Sequence, residues 1–231
     1  MMVILTFQSK VVKRKDLNKD VVLLSLTAPK EFSFKAGQFV TLKIEKEGEK
    51  KLKSYSILNS PSDKERIDLC IKIVDGGFAS EIFRNVKEGD SFEVKGPFGH
   101  FFFNEEDEND EFWFLGGGTG VSPFCSMIKE YLPEMPDKRF TLIFSVKNKD
   151  ELFLDKEFKE LQNKFNNFTY ILTLTRDKWE GATGRVQEHL PKDLKNKTFY
   201  ICGLKELVLE TKELLLKCGV NSENVKFERY S

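Results

Sequence analysis

The residues with the plainest capacity for chemistry form the run LGGGTGVSPF at residues 115–124. It falls between a predicted strand at residues 112–115 and a predicted helix at residues 121–131. Glycines at such a junction let the backbone approach a phosphate closely, and free N–H groups at a helix start favour an anion. The spacing departs from G-x-G-x-x-G, because Val121, Ser122 and Pro123 follow Gly118, Thr119 and Gly120. A tight strand-to-helix turn without a ligand is therefore the competing reading. Other chemistries lack their residues. Cys70, Cys125, Cys202 and Cys218 include no Cys-x-x-Cys pair, and the only histidines are His100 and His189. Neither a zinc site, an iron–sulfur cluster nor a histidine-based nucleophilic triad has its usual set, and no metal is expected.

The 231 residues balance 37 Lys and Arg against 37 Asp and Glu, and 40% are hydrophobic. That composition is globular, and the length suits one large domain or two modest ones. A net charge of zero gives no global reason to bind nucleic acid or an anionic membrane. No apolar run reaches the roughly 18 residues of a membrane helix. With scattered, unpaired cysteines, the expectation is a cytoplasmic protein without a membrane span.

Two patterns divide the chain. Over the first hundred residues, short runs at 7–12, 21–28, 38–44, 67–73 and 91–94 read as strands, with Val22, Leu24 and Leu26 on one face. Glycine and proline punctuate them, as in a small closed antiparallel barrel, and one short helix is expected near Phe78. The run NEEDENDE at residues 104–111 has almost nothing to bury and reads as a linker or surface loop. Strand and helix then alternate: strands at 112–115, 140–146, 168–174, 198–202 and 225–228, helices at 121–131, 155–164, 185–190 and 205–217. Repeated strand–helix units with apolar strands predict a doubly wound, mainly parallel sheet.

Further segments follow in order: KSYS at residues 53–56, GGFAS at 76–80, GPFGHF at 96–101, the glycine-rich turn, Cys202-Gly203, and FERYS at 227–231. Together they resemble the ferredoxin-NADP+ reductase superfamily of flavoproteins, in its bacterial ferredoxin or flavodoxin reductase form. The motifs span residues 53–230, and the strand pattern extends the likeness to nearly the whole chain. The resemblance implies an FAD-binding antiparallel β-barrel over residues 1–104 and an NAD(P)-binding α/β domain with a doubly wound parallel sheet over residues 110–231.

Site residues follow from that resemblance. KSYS is similar to the family's flavin-binding R-x-Y-S: Tyr55 would pack on the isoalloxazine ring and Ser56 would bond near flavin N5, with Lys53 and Ser54 beside them. Lys53 stands where Arg is usual, a point charge instead of a bidentate fork. Gly77, Phe78, Ala79 and Ser80 would hold the flavin pyrophosphate, although Ser80 also reads as a plain helix cap. Gly118, Thr119 and Gly120 would take the nicotinamide dinucleotide. Cys202 would lie near nicotinamide and flavin and position the hydride path without covalent chemistry; a small buried strand-end residue is the plainer alternative. Lys147, Arg176 and Arg185 fall where NADP-dependent relatives carry 2′-phosphate ligands. They favour NADP with NAD possible, against a solvated basic rim diluted by Asp150, Glu151 and Asp177. Glu228 is similar to a carboxylate that assists proton delivery and Tyr230 to a covering aromatic, against a solvated acid and a frayed tail. Ser56, Cys202 and Glu228 are the catalytic candidates.

The implied activity is that of an FAD-dependent NAD(P)H oxidoreductase. Hydride would pass from NAD(P)H to bound FAD, and electrons then singly to an acceptor protein such as a ferredoxin or flavodoxin. Without a cluster-binding cysteine set, an iron–sulfur carrier would be a separate protein. Two alternatives stand beside this reading. A free-flavin reductase is disfavoured by GGFAS and Lys53. A flavin-carrying subunit of a larger complex is disfavoured because no cysteine-rich segment is appended.

Overall fold

The computed structural model describes residues 3–230. The described chain divides into two compact units, residues 3–103 with 125–130, and residues 104–124 with 131–230.

The first unit is built on β1 (Leu5–Asn18), β2 (Val21–Thr27), β3 (Phe39–Lys46), β4 (Glu49–Ser56), β5 (Arg66–Lys72) and β6 (Ser91–Phe98). They form one antiparallel sheet in the order β4-β3-β6-β1-β2-β5. β1 serves twice: residues 5–10 pair with β6 and residues 11–18 with β2, with an irregularity between Val11 and Lys13. A bridge between Ile57 and Leu69 joins the chain just past β4 to β5, so the sheet curls into a barrel. Val22, Leu24, Leu26, Leu42, Ile44 and Leu69 fill it, each at most 2% exposed. Burial of one such side chain contributes about 1.5–3 kcal/mol before entropy is subtracted.

β4 adds a strand that its sequence conceals. EKKLKSYS lacks alternation because this edge strand pairs only with β3 and leaves Glu49 to Leu52 exposed. The helix expected near Phe78 is α1 (Ser80–Asn85), which starts two residues later. Gly77 N–H donates to the Val74 carbonyl at 2.9 Å, so residues 74–77 form a turn before the helix begins.

The second unit carries β7 (Glu111–Gly117), the two ends of α2 (Ser122–Tyr131), whose residues 125–130 are counted with the first unit, β8 (Arg139–Val146), α3 (Asp155–Lys164), β9 (Phe168–Leu174), β10 (Ala182–Thr183), β11 (Lys197–Leu204), α4 (Lys205–Lys217) and β12 (Val225–Tyr230). The sheet is wholly parallel, in the order β10-β9-β8-β7-β11-β12. The expected helix at 185–190 is a single 3-10 turn at Val186–His189. Alternate residues of β7 and β11 serve opposite faces. Leu115, Phe199 and Ile201 join α4 residues Val208 and Leu215 in one apolar cluster. On the other face Phe114 stacks on Phe140 and Tyr200, with centroids 5.9 and 5.3 Å away, and meets α2 through Phe124. Many of the 22 phenylalanines are thereby spent on packing a sheet covered on both sides.

The chain leaves β7 outward through β8 and β9 to β10, then returns to the other flank with β11 and β12. The switch point thus lies between β7 and β11, where open α/β sheets bind ligands beyond the carboxyl ends of their strands. NEEDENDE is a loop, but a fastened one. Asp107 accepts from the buried Thr198 hydroxyl at 2.8 Å, Asn109 donates to the same hydroxyl at 2.9 Å, and Asn104 N–H donates to the Tyr200 hydroxyl at 3.2 Å.

Candidate functional site

At the switch point β7 runs into a 3-10 turn, Gly118–Val121, and then into α2. Packing accounts for three of the glycines. A Cβ on Gly116 would meet the Phe124 ring at 3.2 Å, on Gly117 the Leu207 side chain at 2.7 Å, and on Gly120 the Cys202 carbonyl oxygen at 2.5 Å. Gly118 differs: at φ +54° it has nothing within 4 Å of where a Cβ would be, so its backbone faces open space. Thr119 is half-buried, and its carbonyl accepts the Ser122 N–H. Ser122 itself is 1% exposed, and its hydroxyl has no hydrogen-bond partner among the described residues. A serine opening a helix after a glycine-rich turn is the sequence signal that could have singled it out.

Cys202 lies buried near the end of β11, level with Gly116 on β7 and Glu228 on β12. Burial first, and then the Glu228 carboxylate, push its thiol well above the usual range, against hydrogen bonds from Tyr230 and the Gly203 backbone. The thiol is therefore neutral, which suits a packing and positioning role and not a nucleophile. Glu228 and Tyr230 are both half-buried on β12, so the structure gathers the glycine-rich turn, Cys202, Glu228 and Tyr230 within one unit.

The three basic candidates sit at the carboxyl ends of successive strands. Lys147 follows β8, Arg176 lies two residues past β9, and Arg185 two residues past β10. Arg176 N–H donates to the Lys147 carbonyl at 2.8 Å. Lys147 pairs with Glu151 at 3.7 Å and Arg185 with Glu210, whereas the Arg176 side chain has no carboxylate partner among the described residues.

In the first unit, KSYS forms the last half of β4 and GGFAS leads into α1. Tyr55 is half-buried and meets Phe83 of α1 edge-on, with centroids 5.6 Å apart; burial pushes its phenol upward. The Lys51 ammonium lies 4.3 Å from the centre of the half-buried Phe78 ring, so the two motifs lie side by side. Ser56 is buried and Ser54 exposed. Lys43, Lys46, Lys50 and Lys51 are paired with Glu93, Glu81, Glu45 and Glu49. Lys53, half-buried, meets no carboxylate among the described residues. Ala79 caps α1 without a side-chain bond, and the buried Ser80 hydroxyl accepts the Val74 N–H at 2.9 Å. Ser80 thus ties the turn together and does not cap the helix.

A family model for the oxidoreductase FAD-binding domain matches residues 8–103, and one for the oxidoreductase NAD-binding domain matches residues 114–213. The ferredoxin–NADP reductase B of Sorangium cellulosum is 29% identical, with 97% of each chain covered. The reductase component of phenol 2-monooxygenase from Pseudomonas sp. (strain CF600) is 28% identical over 93% of this chain. The chain spans 63% of that relative's length. The crystal structure of an Amycolatopsis cytochrome P450 reductase superposes with a TM-score of 0.92 at 21% identity, covering 99% of this chain and 71% of that one.

The chain belongs to the ferredoxin-NADP+ reductase superfamily. Its two domains are the FAD-binding and NAD-binding domains of that family. The residues present fit both groups. Lys53, half-buried and without a carboxylate, suits an anionic cofactor beside the half-buried aromatic rings of Tyr55 and Phe78. The Gly118 backbone in open space and the orphaned Ser122 hydroxyl suit a dinucleotide phosphate at the start of α2. No cluster of three or more His, Cys, Asp or Glu among the described residues could hold a metal ion. No helix among them is long and apolar enough to cross a membrane.

Proposed function

We propose that this superfamily member is an FAD-dependent NAD(P)H oxidoreductase that delivers electrons to a one-electron acceptor protein. FAD supplies the conversion between a two-electron hydride and single electrons. In this reading residues 1–104 hold the flavin and residues 110–231 the nicotinamide dinucleotide. Tyr55 and Ser56 orient the flavin ring, Lys53 and Ser54 lie beside them, and Gly77, Phe78, Ala79 and Ser80 shape the pyrophosphate turn. Gly118, Thr119 and Gly120 admit the dinucleotide, with Ser122 donating to its phosphate. Cys202, a neutral buried thiol, shapes the nicotinamide side; Glu228 serves the proton and Tyr230 holds Cys202 from β12. The basic edge of Lys147, Arg176 and Arg185 favours a 2′-phosphate and hence NADPH.

The carrying observation is the switch point of a parallel sheet: the open Gly118 backbone, the orphaned buried Ser122 hydroxyl, and Gly120 packed against the Cys202 carbonyl. The acceptor is drawn from what relatives are named for, a ferredoxin or the oxygenase part of a monooxygenase. A cytoplasmic setting agrees with four free cysteines.

The test is an anaerobic titration of the FAD-loaded protein with NADPH and with NADH. Bleaching of the flavin band by either is expected, with NADPH preferred. No bleaching by either, with flavin bound, would overturn this reading in favour of a subunit fed by a protein partner. Loss of flavin on gel filtration would favour the free-flavin reductase.

A further inference from the structure

We infer that Glu210, with Glu151 in support, sets the choice between NADPH and NADH by occupying the cations that a 2′-phosphate would use. The inference rests on the proposed dinucleotide reading and concerns residues of the second unit alone. Lys147, Arg176 and Arg185 follow the carboxyl ends of β8, β9 and β10, adjacent strands spaced by about 4.8 Å, so they form one continuous edge. Three cations at that edge would make it strongly selective for a phosphate. The carboxylates change the balance. Arg185 is bound by Glu210 of α4, and Lys147 by Glu151 at 3.7 Å. Asp177 accepts the Lys149 N–H at 3.0 Å, and the Glu188 carboxylate accepts the Arg185 N–H at 2.7 Å.

The Arg185 pair is held from both sides. Gln187 of the following 3-10 turn donates to Thr211 of α4 at 2.9 Å, which fixes that turn against the helix residue next to Glu210. A Cβ on Gly184, at φ +99°, would meet the Glu188 carboxylate at 2.5 Å, so the chain before Arg185 is locked against its own turn. Arg176 is left as the cation without a carboxylate, and a 2′-phosphate must displace Glu210 to gain Arg185. Exposed ion pairs are weak, so that displacement is feasible yet takes away much of the advantage of the second cation. Glu210 therefore narrows the preference for NADPH and keeps NADH usable.

The test is calorimetric binding of 2′,5′-ADP and of 5′-ADP to the full chain, in low salt, for wild type, Glu210→Gln, Glu151→Gln and Arg176→Ala. Glu210→Gln is expected to tighten 2′,5′-ADP by about 1.5- to 5-fold, the range of a freed surface cation, with 5′-ADP unchanged. Glu151→Gln should give a smaller gain in the same direction. If Glu210→Gln leaves 2′,5′-ADP unchanged or weakens it while Arg176→Ala abolishes the preference for 2′,5′-ADP, the edge is a phosphate site and Glu210 merely props Arg185, which overturns the inference alone. If Arg176→Ala and wild type bind both nucleotides equally, the cationic edge does not read the 2′-position. That result overturns the inference together with the NADPH reading beneath it.

Discussion

Ser122 gives the proposed dinucleotide site its most direct test at a single atom. A buried hydroxyl without a hydrogen bond costs about 1–3 kcal/mol, and the fold retains it at the first residue of α2. Ser122→Ala is expected to leave the nucleotide-free protein as stable or more stable by up to about 1 kcal/mol, while weakening ADP roughly fivefold, the worth of one neutral hydrogen bond. Thermal unfolding with and without ADP reads both effects. Equal losses of stability in the two conditions would mean that the hydroxyl serves the fold instead. Cys202 makes the opposite case. Its thiol is fully buried among partners, so sequence alone could not separate a packing residue from a reactive one, whereas its upward shift marks it as neutral.

The turn at residues 74–80 carries its argument as a unit. A Cβ on Gly77 would lie 2.6 Å from the Ser80 oxygen and 3.0 Å from the Val74 carbonyl. Gly77→Ala should therefore destabilise the turn by about 1–3 kcal/mol, as overpacking does. It should also lower retained flavin after gel filtration, and adding Ser80→Ala should recover part of the stability. A neutral Gly77→Ala in urea unfolding would refute that packing account. The strand–helix alternation beyond residue 111 was legible because the central strands β7, β8 and β11 are covered on both faces and read as largely apolar runs, such as FWFL. β4 was not, since an edge strand needs no apolar alternation. The motifs KSYS and GGFAS could be read by likeness, but not their adjacency, which depends on Tyr55 meeting Phe83 and Lys51 meeting Phe78. The pairing of Arg185 with Glu210, 25 residues onward, was equally hidden: periodicity says nothing of which acid a surface arginine will find.

Across the molecule, buried acids of high intrinsic pKa set an alkaline limit. The Cys202 thiol and the phenols of Tyr55, Tyr170 and Tyr200 are all pushed upward, chiefly by burial. The folded state keeps these protons where the unfolded chain, titrating near about 8.5 for thiol and about 10 for phenol, has lost them. Unfolding then releases protons, so stability is complete below about pH 8 and declines as pH rises, by up to about 1.4 kcal/mol per pH unit for each group fully in play. Urea midpoints at neutral pH, pH 9 and pH 10.5 should fall in that order, and Tyr170→Phe should lessen the drop; constant midpoints would contradict it. The free edges of the two sheets matter on the same scale. With 37 charges of each sign the chain has no net charge to hold its copies apart in neutral solution. That task passes to local placement. β4 presents Glu49, Lys50 and Lys51 along its open side, and β12 presents Lys226, Glu228 and Arg229. Any second strand that came to extend either sheet along β4 or β12 would have to strip water from these charges, so in a neutral protein a handful of edge side chains opposes association that net charge does not prevent.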